Sequence, residues 1–319
     1  MRKIIATLLI SFFCFTGFAV EESSQSTENM PQENNVKFST EVGLTATFPA
    51  AALISVKEKI KIPAMNFNSP LTQGNNVTIK IGMELSPLTL EGKTEVVWTP
   101  IAFLELYGSL FAGSGWNIVR KKASDSLFGL AEALPAADKT TRYVPFNFTK
   151  TYWGGQLGGA FQFDLGAVIK HDWAHVVFRT DQVAKYSALS GMSKDKSWIY
   201  QAGAPRRNGW QYIGSYVFGY QMPIPLNMIA MMAETTKDLH KTPANRKDWG
   251  EDKMQVVFGP VFNFKILEWM DLMLAVQAET KNQYVSPNDF YQYRKLANPT
   301  RKVFFKRAAL IFTMTFNHN

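Results

Sequence analysis

Residues whose side chains do chemistry are few in this chain. Four histidines, His171, His175, His240 and His318, and one cysteine, Cys14, stand among 319 residues. Cys14 lies in an apolar run near the start, after Ser11-Phe12-Phe13, where a lipidation signal would need small residues. No other thiol exists, so disulfides, thiolate metal centres and cysteine nucleophiles are excluded from everything that follows it. His171 and His175 have the four-residue spacing that pairs two imidazoles on a helix. Asp172-Trp173, however, opens a strand-like segment, and there residues four apart lie about 13 Å from one another. No metal site is expected, and no cofactor is implied. His175 with Asp164 and Asp181 is the best acid–histidine group for hydrolysis, and a serine–histidine pair at an apolar rim is the other route. A lone histidine among carboxylates is more often structural.

The remaining polar chemistry is ionic, and it alternates with apolar residues. Glu84, Glu105, Gln162, Asp164, His175, Arg179, Gln221 and Lys265 each fall on the polar side of a period-two pattern, as do Glu91 and Glu279. Such a set either lines a conduit or fills an interior with ion pairs. Basic pairs also recur between the alternating segments: Arg120-Lys121-Lys122, Arg206-Arg207, Arg246-Lys247 and Arg294-Lys295. They would make one end of the molecule basic and enrich anions there. The formal charge is +8, and about +6 once Arg2 and Lys3 are set aside. Nucleic acid is not an expected partner, because the basic residues are not interleaved with stacking aromatics in one patch.

The elements that must position these residues are strands. Trp210 to Met222 reads W-Q-Y-I-G-S-Y-V-F-G-Y-Q-M, with large aromatic residues at even positions and small or amide residues at odd ones. A strand sends these to opposite faces. The small face carries no charge and the large face gathers its aromatics near both ends, as in a strand whose outer side meets lipid and whose inner side lines a lumen. Beyond residue 20 there is no apolar run long enough for a membrane helix. A membrane chain without such helices has one solution, a closed β-barrel.

The period-two pattern predicts twelve strands, within a range of ten to fourteen: 36–48, 52–62, 76–86, 88–99, 101–113, 151–165, 173–188, 208–222, 225–238, 252–265, 268–281 and 301–316. The second is ambiguous, since Val56-Lys57-Glu58-Lys59-Ile60 also suits a short helix. Connections in the second half alternate short and long, with long loops at 189–207, 239–251 and 282–300, the asymmetry expected of the two sides of an outer membrane. The short link at 48–52 does not fit that alternation. Within the long 114–150 segment, Ser124 or Asp125 would cap a helix carrying Leu127, Phe128, Ala131 and Leu134, ended by Pro135. Such a segment is positioned to fold inward and constrict the lumen. Residues 1–19 read as a secretory signal cleaved after Ala19, and 20–35 as a flexible periplasmic leader.

The last segment resembles the final strand of Gram-negative outer-membrane barrels, with alternating apolar residues ending in Phe316, although Asn317-His318-Asn319 follow it. More loosely, R-N-G-W at 207–210, Y-Q-M-P at 220–223 and A-E-T at 233–235 are similar to uncharacterised spirochaete outer-membrane barrels. That likeness implies location and carries no activity. The expectation is an all-β fold: a single transmembrane antiparallel barrel over 36–319, in the outer membrane of a diderm bacterium. Its partners would be membrane lipid and the barrel-assembly machinery. The first reading of function is a passive channel for small solutes with an anion preference. The second is a barrel anchor whose long loops bind an extracellular ligand, and the third is an outer-membrane enzyme.

Overall fold

The computed structural model of the chain describes residues 35–318, except 50, 66, 68, 70, 119–125, 138–140, 170, 202–205, 240–252 and 286–295. The signal at 1–19, nearly all of the leader at 20–35, His240, Arg246 and Lys247 thus lie outside the described residues. The strands are β1 (Lys37–Phe48), β2 (Ala51–Pro63), β3 (Asn76–Leu85), β4 (Thr89–Ile101), β5 (Leu104–Gly115), β6 (Asn117–Ile118), β7 (Leu127–Phe128), β8 (Leu130–Pro135) and β9 (Thr141–Pro145). They continue with β10 (Tyr152–Asp164), β11 (Val176–Leu189), β12 (Ser197–Tyr200), β13 (Gly209–Gln221), β14 (Leu226–Asp238), β15 (Gln255–Leu267), β16 (Met270–Tyr284) and β17 (Leu296–His318).

Twelve of them close a barrel in the order β1-β17-β16-β15-β14-β13-β11-β10-β5-β4-β3-β2. Every barrel pairing is antiparallel, and closure joins β1 to β17 from Phe38–His318 to Phe48–Ala308. A closed ring leaves no strand edge with unpaired backbone groups. The ambiguous second segment is a strand, held between β1 and β3. The start of β1 and the end of β17 meet at one rim, called here the terminal rim, and the long connections after β5, β11, β14 and β16 belong to the other. The short link at residues 49 and 50 also belongs to the long-loop rim, where it is simply a tight connection between β1 and β2.

Alternation sorts the wall into two faces. Along β10, Trp153, Leu157, Phe161 and Phe163 are exposed, while Tyr152, Gly154 and Ala160 between them are buried. The exposed set continues through Leu110, Phe178, Phe218, Met231 and Val276 on neighbouring strands, a band of apolar surface far larger than a soluble monomer shows. Aromatic side chains border it. Trp153, Tyr186 and Trp210 form a row near the loop rim, with ring centroids 5.8 and 5.4 Å apart. Near the terminal rim Phe316 stacks on Trp269 at 5.8 Å, and Phe103 meets Phe161 edge-on at 5.7 Å. Two aromatic girdles around an apolar band are what a bilayer selects at its interfaces.

The 114–150 segment is not helical where described. Leu127–Phe128 pairs with Asn117–Ile118, and β8 lies between β9 and β12 in a three-stranded sheet built from two different loops. The spacing of Leu127, Phe128, Ala131 and Leu134 suits a helix face, but pairing with residues 141–145 and 197–200 decides the conformation. Gly129 is required by this docking. A Cβ there would lie 2.0 Å from the Leu88 carbonyl oxygen and 2.4 Å from that of Trp116.

Candidate functional site

The loop sheet seats on the inner wall through an aromatic cluster. Leu130, Tyr152 and Trp198 have no exposed surface, and Phe111, Leu189 and Tyr200 pack with them. Tyr152 stacks on Tyr200 with centroids 4.3 Å apart. The Tyr200 hydroxyl donates to Glu91 Oε2 at 3.0 Å, and Gln201 Nε2 donates to Thr89 Oγ1 at 3.0 Å. Burial beside the Glu91 carboxylate pushes the Tyr200 phenol well above its usual range, so it remains a donor. Asn208 ties the sheet to β11 by accepting from Trp198 Nε1 and the Leu189 amide, both at 2.9 Å. Lys185 stands over the Phe111 ring at 4.6 Å. The loop sheet therefore packs against the inner wall near the loop rim.

Arg206 enters with this sheet. Its backbone bridges to Trp198 in both directions, at 2.9 and 2.7 Å, which fixes where the side chain starts. Its charge acts on Tyr152 of β10 and on Lys306 of β17, strands six positions apart in a ring of twelve. Both groups therefore lie within electrostatic reach of Arg206. Arg207 is 7% exposed. Of the pair expected at the mouth, Arg207 is buried and Arg206 half-buried, with Arg206 bridged to Trp198 of a sheet that packs on the inner wall.

A charged belt surrounds Arg206. Lys306, Arg307 and Lys185 all lie within electrostatic reach of the Glu234 carboxylate, and Glu279 approaches Lys306 at 3.8 Å. A β-bulge makes the Lys306–Arg307 pair possible. Gln277 pairs with Arg307 while Ala278 pairs with Phe305, so the unpaired residue Lys306 turns inward beside Arg307. Both are 5% exposed, whereas Phe304 and Phe305 just before them are exposed.

Below the belt the interior divides. On β13 to β17, Val217, Met228, Ala230, Met232, Val261, Met273, Ala275, Ala309 and Ile311 form one buried apolar cluster. On β1 to β11 the inner face is ionic. Glu41 receives Lys59 and, at 3.4 Å, Lys57, and Glu95 receives Lys93 at 2.9 Å and Lys80 at 3.1 Å. Glu84, opposite Glu91 in register, is half-buried beside this group. Arg179 binds Glu105 at 2.7 Å, both Asp181 oxygens at 3.1 Å and Gln162 Oε1 at 3.1 Å.

The acid–histidine group separates into two. His175 Nδ1 lies 2.7 Å from Asp164 Oδ2, and Asp164 Oδ1 accepts from the Gly166 amide at 2.9 Å, capping the short 3-10 turn Leu165–Ala167. Asp181 instead serves Arg179. His171 Nδ1 accepts from the Trp173 amide at 3.1 Å, and the described residues hold no group of three metal-ligating side chains. Gln221 donates its backbone amide to the His175 carbonyl at 2.9 Å, and Lys265 faces Asp271 in register, both near the terminal rim.

The sequence reading overlooked Lys185, Glu234, Gln277, Lys306 and Arg307. Parity with Arg179 and Asp181 was the signal for Lys185. Around Glu234 both faces of β14 are apolar, Met228-Ala230-Met232 inward and Ile229-Met231-Ala233 outward, so parity has no contrast to work with. The bulge at Lys306 leaves no mark in the sequence.

No protein-family model matches the chain, and no curated protein sequence matches it. Solved barrels are similar to it in fold. The β domain of the Bordetella autotransporter BrkA is 9% identical, covers 88% of this chain and 98% of its own, and gives a TM-score of 0.43. The NanC porin is 6% identical, with 88% and 98% covered and a TM-score of 0.38. The outer-membrane channel DcaP of Acinetobacter baumannii is 9% identical, with 88% and 96% covered and a TM-score of 0.32. The chain itself is an all-β, closed twelve-stranded antiparallel barrel.

Proposed function

We propose that this barrel is an outer-membrane channel for small anionic solutes, whose path runs past Arg206 and along the ionic side of the interior. The chain would arrive by export and cleavage after Ala19, then insert through the barrel-assembly machinery with the loop rim outward. The observation that supports the reading is Arg206, bridged through its backbone to Trp198 on the inner wall and within electrostatic reach of Lys306. A fixed cation along the solute path lowers the barrier to anions and raises it to cations, most strongly at low salt. Porins and channels among the similar solved structures are compatible with this reading.

A second reading has its own observation. The loop sheet and the apolar cluster on β13 to β17 fill much of the interior, as a barrel serving only as an anchor would be filled. In that case the rigid loop sheet would present a surface to an extracellular ligand. Conductance of the refolded full chain in a planar bilayer separates the two. Discrete current steps support the channel, and a silent bilayer containing inserted protein supports the anchor.

A further inference from the structure

The belt holds four cations, Lys306, Arg307, Arg206 and Lys185, against three acids, Glu234, Glu279 and Glu91. All the wall members of this group except Glu279 are at least nine-tenths buried. A surplus charge so far from solvent is costly unless something compensates it. Two donors nearby also lack partners. Gln277, 1% exposed, gives its carbonyl to Arg307 Nε at 2.6 Å, and its amide nitrogen then has no hydrogen-bond partner among the described residues. Ser215, opposite Glu234 in register, keeps a buried hydroxyl without one, and Glu234 Oε2 is likewise a buried acceptor with no hydrogen-bond partner among the described residues. The bulge in β17 adds an independent sign, since it turns a second basic side chain inward where a regular strand would send it to the apolar outer face.

We propose that Lys306, Arg206 and Gln277, with Arg307 held by Gln277, form an internal binding site for a small oxyanion of the phosphate class. Ammonium, guanidinium and amide N–H groups together suit an anion with several acceptor oxygens better than a single-atom halide. The negative charge would balance the surplus, and the oxygens would take the unused amide and hydroxyl protons. Glu234 would set the strength of the site, holding Lys306 in place while limiting how tightly an anion binds. A transiting anion needs such a site to be favourable enough to enter and weak enough to leave. The inference rests on the reading of the belt as the solute path, yet it makes a separate claim about equilibrium binding.

The test uses the full-length chain refolded in detergent, titrated with inorganic phosphate by calorimetry at low ionic strength, with chloride as the comparison ion. The same preparations are measured in planar bilayers. Wild type should bind phosphate in preference to chloride, and phosphate should reduce chloride current. Lys306→Gln should weaken binding by about tenfold or more, the size of one charge-assisted hydrogen bond. Glu234→Gln should tighten it, an effect that loss of structure would not produce. Lys253→Gln, an exposed residue at the loop rim, should leave it unchanged, and circular dichroism verifies folding of each variant. If current flows while phosphate neither binds nor blocks, the site is overturned and the channel stands. If phosphate binds as described in a silent barrel, the site stands and the channel reading falls. Equal binding by wild type and both belt variants also overturns the site.

Discussion

The two halves of the barrel interior are built from the same strand geometry and do opposite things. On β13 to β17 the inward positions carry Met228, Met232, Val261, Met273 and Ile311, which pack on one another like the core of a soluble protein. On β1 to β11 the inward positions carry Glu41, Lys57, Glu95, Arg179 and Asp181, linked in ion pairs and more open to solvent. The difference teaches that an inward position in a barrel of this size has no fixed character. One arc of the wall can be dry because its side chains meet each other, while the facing arc stays wet because charges need water as well as partners.

The contrast is broken most severely by placing a charge in the dry half. Val261→Lys, at a position 4% exposed whose register partners are Ala230 and Ala275, should cost about 3–5 kcal/mol because its neighbours are apolar. Gln162→Arg in the wet half takes an acceptor from Arg179 but leaves the new charge within the cluster that holds Glu105 and Asp181, and should cost less, about 1 kcal/mol. Refolding equilibria in urea measure both, and similar losses would erase the distinction between the halves. The outer wall sets a reference between them. Phe161→Arg adds a charge to the exposed apolar band and should cost about 2–4 kcal/mol in a bilayer.

Smaller effects sharpen the picture where the loop sheet meets the wet half. Tyr200→Phe removes the donor to buried Glu91 and should cost about 1–3 kcal/mol. Loosening of the sheet should appear as faster proteolysis between β8 and β12. Arg179→Lys keeps the charge but gives up the fork that spans Glu105, Asp181 and Gln162, and should cost about 1 kcal/mol. A thermal melt unchanged by either substitution would show that these contacts contribute little.

The sequence was most legible where its two faces differ in chemistry. Phe161 beside Gln162, or Ile81 beside Lys80, marks a strand and assigns its faces at once, which is why twelve strands and their parity follow from reading alone. Legibility failed for three physical reasons. Both faces of β14 are apolar, so the inward turn of Glu234 had no local sign. The bulge at Lys306 adds a residue that no period can reveal, and it moves a lysine from lipid to lumen. The loop sheet depends on pairing between residues 130–135 and 197–200, far apart in the chain, so Leu127, Phe128, Ala131 and Leu134 suggested a helix. The same sheet holds half-buried Arg206 through its bridge to Trp198, although its position in a long basic loop pointed to the surface.

Ion selectivity tests the central claim most directly. The reversal potential of the reconstituted barrel is measured across a tenfold potassium chloride gradient, at low salt on the dilute side, for wild type and for Arg206→Gln. The account predicts a potential favouring chloride in the wild type, moving towards zero in the variant with the barrel still folded. A cation-favouring potential, or one that the substitution leaves unmoved, would contradict it.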